Sequence, residues 1–128
     1  MSLKSKGIAM ERELVHLLWA RQFAAVRVAG SGSSQYPSCD VLASNGAQRF
    51  AFECKSIQKG MRYIPDKEMD EFLQFSRRYG AEPWIAVRFR AKEWHFLLPE
   101  DLKKTPSAWG ISLDVIQTRG MLLDELIR

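Results

Sequence analysis

The chain has 128 residues, 46% hydrophobic and 27% charged, the balance of one packed globular unit, which excludes disordered and fibrous classes and leaves no length for two independent domains. Its net charge of +4 favours a polyanionic partner such as nucleic acid. Cys39 and Cys54 are the only cysteines, and no apolar run approaches the roughly 20 residues a bilayer span needs, so the expectation is a reduced, intracellular protein with no membrane segment. Residues 1–5 precede the first patterned segment and are set aside as a disordered or expression-derived leader to a single domain over 1–128.

Residues 8–22 predict a helix, with Ile8, Leu14, Val15, Leu18 and Gln22 along one stripe and Glu11 as the one acid within it. Residues 23–29 predict a first strand, broken by the Gly/Ser loop Gly30-Ser-Gly-Ser-Ser34, which lacks the Lys-Ser/Thr of a phosphate-binding P-loop. Strands follow over 40–43 and 48–54, joined through Asn45-Gly46, a strong signal for a two-residue type I′ turn. Residues 56–62 predict a basic, polar connection. Pro65 then marks the first position of a second helix, with Asp66, Glu68, Asp70 and Glu71 at its positive end, Arg77 and Arg78 at its negative end and Gly80 as its stop. Met69, Phe72, Leu73, Phe75 and Tyr79 give this helix more apolar surface than one stripe requires, enough for a second face covered by another subunit. Residues 84–89 and 94–98 predict strands around a polar turn at Arg90-Ala-Lys-Glu93, and Pro99 closes the sheet. Residues 112–116 fit strand or helix, and 121–127 have helical spacing. The order predicts a single α/β or α+β domain with mostly antiparallel strands.

The stretch Phe50-Ala-Phe-Glu-Cys-Lys-Ser56 carries the chemistry. In a strand Phe50, Phe52 and Cys54 share one face, and Ala51, Glu53 and Lys55 the other. A two-residue turn at Asn45-Gly46 pairs Ser44 with Ala47 and sets Asp40 opposite Ala51, diagonal to Glu53, roughly 7–8 Å away on the same face. Two such carboxylates suit a hard cation, Mg²⁺ or Mn²⁺, that shares a substrate phosphate, and Lys55 brings an ammonium beside it, which points to phosphodiester chemistry. Cys39, Cys54, His16 and His95 have no zinc-finger spacing. An acid-x-Lys triplet also arises by chance, as at Asp101-Leu-Lys103, and the bland reading of Glu53 and Lys55 is a cross-strand ion pair.

Lys6-Gly7, Glu11-Arg-Glu13, Phe23-Ala-Ala-Val-Arg27, Ala29-Gly-Ser-Gly-Ser33, Asp40, Glu53-Cys-Lys55 and Phe75-Ser-Arg-Arg-Tyr-Gly80 together resemble the archaeal-type Holliday junction resolvases of the PD-(D/E)xK nuclease superfamily, from about residue 6 to 98. Cys39 stands where the motif's name has Pro. The resemblance implies a restriction-endonuclease-like fold with a central mixed β-sheet flanked by helices. It implies a Mg²⁺-dependent endonuclease, with Mn²⁺ also accepted, that resolves four-way DNA junctions by symmetric paired nicks as a homodimer. Asp40, Glu53 and the Cys54 backbone carbonyl would hold the metal, Glu11 would complete the acidic site, Lys55 would assist the attacking water, and Ser31 would contact the scissile phosphate or order the site. Phe72, Phe75 and Tyr79 become interface candidates. Arg12, Arg27, Lys59 and Arg62 are phosphate-contact candidates. Against these stand Glu11 as a partner of Arg27, Ser31 as a plain connector, and two other functions: a restriction-like or repair nuclease of the same fold, and a junction-binding protein without cleavage.

Overall fold

The computed structural model describes residues 2–90 and 93–127. Helix α1 spans Leu3–Trp19 and is capped by Ser2, whose hydroxyl accepts from the Ser5 N–H at 3.1 Å. The expected leader over 1–5 is therefore helical from Leu3 onward, and Met1 lies outside the described residues. Leu14 and Leu18 are fully buried, as the stripe predicts. The helix ends at Trp19 rather than at Gln22, because Gln22 takes a left-handed backbone (φ 69°) that no helix continues and that turns the chain into strand β1, Ala24–Arg27.

The main sheet has five strands in the order β1-β2-β3-β5-β6, where β2 is Val41–Ser44, β3 Arg49–Ile57, β5 Glu82–Phe89 and β6 Glu93–Leu97. β3 and β5 run parallel and the other three neighbouring pairs are antiparallel, so the sheet is mostly antiparallel, as expected, and mixed through its one central parallel pair. The parallel step follows from helix α2, Asp66–Tyr79, which carries the chain back across the sheet between β3 and β5. A second sheet, absent from the sequence reading, joins β4 (Arg62–Pro65), β7 (Lys103–Lys104) and β8 (Ala108–Ile111) in the order β4-β8-β7. β7 has only two residues, and β4 and β8 carry no regular apolar alternation. Pro65 ends β4 and caps α2 instead of opening it. Ser112 resolves the ambiguous tail by accepting from the Val115 N–H at 3.1 Å, which starts helix α3, Leu113–Arg119; helix α4 is Leu123–Leu126. In the turn expected over 90–93, Ala91 and Lys92 lie outside the described residues.

The β2–β3 register corrects the two-residue turn. Ser44 pairs with Arg49 and Val41 with Phe52, so Asn45–Gln48 form a four-residue loop. Asn45 stabilises it by accepting the N–H groups of Ala47 and Gln48 at 2.9 and 2.7 Å. The shift is an even one, so side-chain faces are preserved and Asp40 moves closer to Glu53 instead of away from it.

The sheet has a core on each face. On one, Leu14 and Leu18 of α1 cover Phe23, Phe50, Phe52 and Phe96, with successive ring centroids 5.6, 5.7 and 5.5 Å apart. On the other, Met69 and Phe72 of α2 pack with Ala51, Ile85 and Val87, and with Ile64 and Ile111 from the small sheet. Phe72 is thus fully committed to the chain's own core and has no surface for a second subunit, which removes it from the interface candidates. Trp84, Trp94 and Phe96 are likewise core residues.

Candidate active site

β3 is buried along both faces in its middle, as expected of a central strand next to a parallel neighbour, and Glu53 at 7% exposure is the one charged residue that is buried among the described residues. Its neighbours explain why a carboxylate is tolerated there. Asp40 sits one residue before β2, fixed by its N–H to the Phe52 carbonyl at 2.9 Å and by its own carbonyl, which accepts from the Val28 N–H at 2.8 Å. Its carboxylate accepts from the Cys54 N–H at 2.8 Å through one oxygen and from the Ser31 hydroxyl at 2.8 Å through the other. Ser31 is aimed back at the sheet because Gly30 before it takes a left-handed backbone (φ 70°) and Ser31–Ser33 form a short 3-10 turn. The Gly/Ser loop thus holds Ser31 against the Asp40 carboxylate.

Lys55 lies 3.8 Å from Glu53, but its nearer partner is Glu68 in the first turn of α2, at 3.1 Å. Sequence reasoning assigned Glu68 to the helix dipole alone. Its position four residues before the buried Phe72 was the available signal, because that spacing puts both on the sheet-facing side of α2.

The electrostatics are those of crowded acids. Burial, then the charge of Asp40, push Glu53 up to about 9, with Lys55 pulling down and Glu68 adding to the rise. Burial also raises Asp40, opposed by its hydrogen bonds from Cys54 and Ser31. Burial followed by the neighbouring acids pushes Cys39 up to about 12 and Cys54 well above the usual thiol range, so both sulfurs stay neutral. Cys39, where the motif has Pro, is buried with its Sγ 3.6 Å from the Val41 carbonyl, and Asp40 keeps its place immediately before β2.

These side chains line a depression of about 570 Å³ whose walls include Ser31, Asp40, Glu53, Lys55, Arg62 and Glu68. Glu11 is not in it. It lines a neighbouring depression of about 810 Å³ on the other side of Lys55, with Lys6, Arg62 and Arg88. It lies 3.6 Å from Arg27, the alternative that the sequence held open. Burial and the Asp40 charge nevertheless raise Glu11 to about 7, so it feels the site through Asp40. Of the phosphate-contact candidates, Arg62 borders both depressions, Arg27 is occupied by Glu11, and Arg12 and Lys59 are exposed and border neither. On α2, Phe75 and Tyr79 stack with centroids 5.5 Å apart beside Tyr36 and Pro37, around a separate depression of about 330 Å³.

Among the described residues no three His, Cys, Asp or Glu side chains converge into a ready-made metal cage. The donor set still suits a hard divalent cation: Asp40 and Glu53 are adjacent carboxylates that oppose each other's ionisation, with Glu68 beside them on the same depression. No described helix is long and apolar enough to cross a membrane.

The family model for archaeal Holliday junction resolvase (Hjc) matches residues 2–128. The crossover junction endodeoxyribonuclease Hjc of Archaeoglobus fulgidus is 34% identical over 130 residues, covering 96% of each chain. The protein of the same name from Sulfolobus acidocaldarius is 32% identical over 131 residues, covering 100% of this chain and 90% of that one. A solved structure of Archaeoglobus fulgidus Hjc, described as a Holliday junction resolvase from an archaeal hyperthermophile, superposes with a TM-score of 0.86 over 92% of this chain and 95% of that one, at 34% identity. With the model match spanning nearly every residue and the relatives covering the chain end to end, this protein belongs to the archaeal Holliday junction resolvase family.

Proposed function

We propose that the chain is a divalent-cation-dependent endonuclease that resolves four-way DNA junctions, acting as a single nuclease domain in a homodimer that nicks opposing strands symmetrically. What carries this reading is the convergence of Asp40, Glu53 and Lys55 on one depression, with Ser31 hydrogen-bonded to Asp40. Asp40, Glu53 and the Cys54 backbone carbonyl would hold Mg²⁺ or Mn²⁺, and Glu11 would complete the acidic set from α1. A cation held by these residues would supply neutralisation of phosphoryl charge and acidification of the attacking water.

The protein's own groups do the positioning. The Cys54 N–H and the Ser31 hydroxyl fix both oxygens of Asp40, so the acid is preorganised instead of free to swing. Lys55 presents an ammonium between Glu53 and Glu68, from which it orients the attacking water and shields charge developing on the phosphate. Arg62, bordering both depressions, is the cation best placed to take a flanking phosphate. Exposed Tyr79 and the half-buried Phe75 stacked on it form the dimer contact.

The test compares an immobile four-way junction with a linear duplex of the same arms, each with Mg²⁺ and with EDTA. Paired nicks near the crossover, only on the junction and only with Mg²⁺, are expected. Equal cutting of the duplex would replace the reading with a general nuclease, and tight binding without cutting would replace it with a binding protein.

A further inference from the structure

Helix α1 is anchored unevenly along its length. Among its described residues Leu14 and Leu18 alone are buried, and none before Leu14 is. The half of the helix that carries Glu11 is therefore held by something other than the core, and its polar contacts supply the answer. Glu11 reaches Arg27 of β1 at 3.6 Å. Glu13 reaches the other way: its two oxygens accept from Arg88 of β5 at 2.5 and 3.1 Å, and one of them also accepts from the Trp94 indole N–H of β6 at 2.9 Å. Residues two apart on a helix point to nearly opposite sides of it, which is why one acid finds β1 and the other β5 and β6.

In the strand order β1-β2-β3-β5-β6 these two anchors lie on either side of β3, the strand of Glu53 and Lys55. The second depression lies between them, with Cys54, Lys55, Ser56 and Ile57 of β3 along it and Glu11, Glu13 and Arg88 at its walls. An exposed carboxylate–guanidinium pair alone contributes little to stability. This one differs because Trp94 is a core residue, 6% exposed and stacked on Phe96 with centroids 6.5 Å apart. Its N–H would become a buried donor without an acceptor if Glu13 swung away, so the indole ties Glu13 to the aromatic core. A roll of α1 by about 20° moves a carboxylate roughly 6 Å from the helix axis by about 2 Å. That is enough to carry Glu11 out of coordination distance of a Mg²⁺ or Mn²⁺ ion.

We propose that Glu13 is a positioning residue of the nuclease site: its clamp on Arg88 and Trp94 sets the roll of α1, and with it the reach of the Glu11 carboxylate toward Asp40 and the cation. The clamp rests on the reading above in which Glu11 completes the acidic set. In this role neither Glu13 nor Arg88 touches the cation or the scissile phosphate.

Arg88→Gln tests the clamp because charge and geometry predict opposite signs. Removing a positive charge beside an acidic site strengthens the binding of another cation by electrostatics alone, whereas releasing the clamp weakens it. Titrated with Mn²⁺ in the absence of DNA, Arg88→Gln should bind about tenfold more weakly than the parent. Glu13→Gln, which keeps an acceptor for Trp94, should weaken binding by a similar factor. Both variants should melt within about 8 °C of the parent. In the Glu11→Gln background Arg88→Gln should have no further effect, since the clamp acts through Glu11. Arg88→Gln binding Mn²⁺ as tightly as the parent, or more tightly, would overturn the proposal, as would an additional loss of the same size on top of Glu11→Gln. If the parent itself does not bind Mn²⁺, the cation site falls and the clamp's role with it; parent binding with an indifferent Arg88→Gln removes the clamp alone.

Discussion

The two faces of β3 are built from alternate residues of one strand and do opposite things. Phe50 and Phe52 enter a stack of aromatic rings closed by α1, where burial among apolar neighbours is favourable, and Cys54 follows them on the same face. Ala51, Glu53 and Lys55 face α2, where three acids, Asp40, Glu53 and Glu68, share one ammonium, and burial raises the proton affinity of Glu53 to about 9. The strand therefore stores stability on one side and unfavourable charge on the other. A rigid apolar anchor is what allows the acids to be held close together without relaxing apart.

The comparison is broken most severely from the apolar side. Phe52→Ala removes a fully buried ring that contacts Phe50 and Phe96, and should cost about 3–5 kcal/mol in urea unfolding. A loss under 1 kcal/mol would mean the ring stack is not the anchor. Ser31→Ala acts on the other side and should be smaller. It removes one hydrogen bond to a carboxylate, about 1.5–3 kcal/mol, and is expected to slow junction cleavage about ten- to a hundredfold while lowering the melting temperature by about 5–15 °C. A large stability loss with unchanged cleavage would make Ser31 structural.

The smallest effect is the most diagnostic of the charge asymmetry. Glu53 at about 9 and Glu11 at about 7 both lie above the usual 4.5, so the folded protein holds protons that the unfolded chain releases. Their contribution to stability is complete below about pH 4.5 and is lost as pH rises through 7 and then 9. The metal-free protein should melt progressively lower from pH 5 to pH 9, and Glu53→Gln should flatten that slope. Mg²⁺ added at pH 8 should raise the melting temperature of the parent more than that of Glu53→Gln. A flat profile in the parent would show that the acids are not in conflict.

Much of this site was legible because strand alternation is local: Phe50-Ala-Phe-Glu-Cys-Lys55 assigns its own faces whatever surrounds it. The Asp40 pairing was legible only by parity. Asn45-Gly46 suggested a two-residue turn, but Asn45 used its side chain to close a four-residue loop, and the error of two residues left the face unchanged. Glu68 and the small sheet were not legible. Glu68 reaches Lys55 across a tertiary contact between α2 and β3, β7 is two residues long, and the four-residue β4 and β8 read Arg-Tyr-Ile-Pro and Ala-Trp-Gly-Ile, without the apolar alternation that identifies a strand. Phe72 was misread because the excess apolar surface of α2 was treated as one set, whereas the helix divides it, with Met69 and Phe72 inward and Tyr79 outward.

Glu53→Gln tests the central claim most directly, because it keeps the shape of the side chain and removes its charge. Junction cleavage in Mg²⁺ and junction affinity in Ca²⁺ should be measured on the same preparation. The account predicts cleavage reduced by about 10³-fold or more, with affinity close to that of the parent. Cleavage at the parental rate would contradict it.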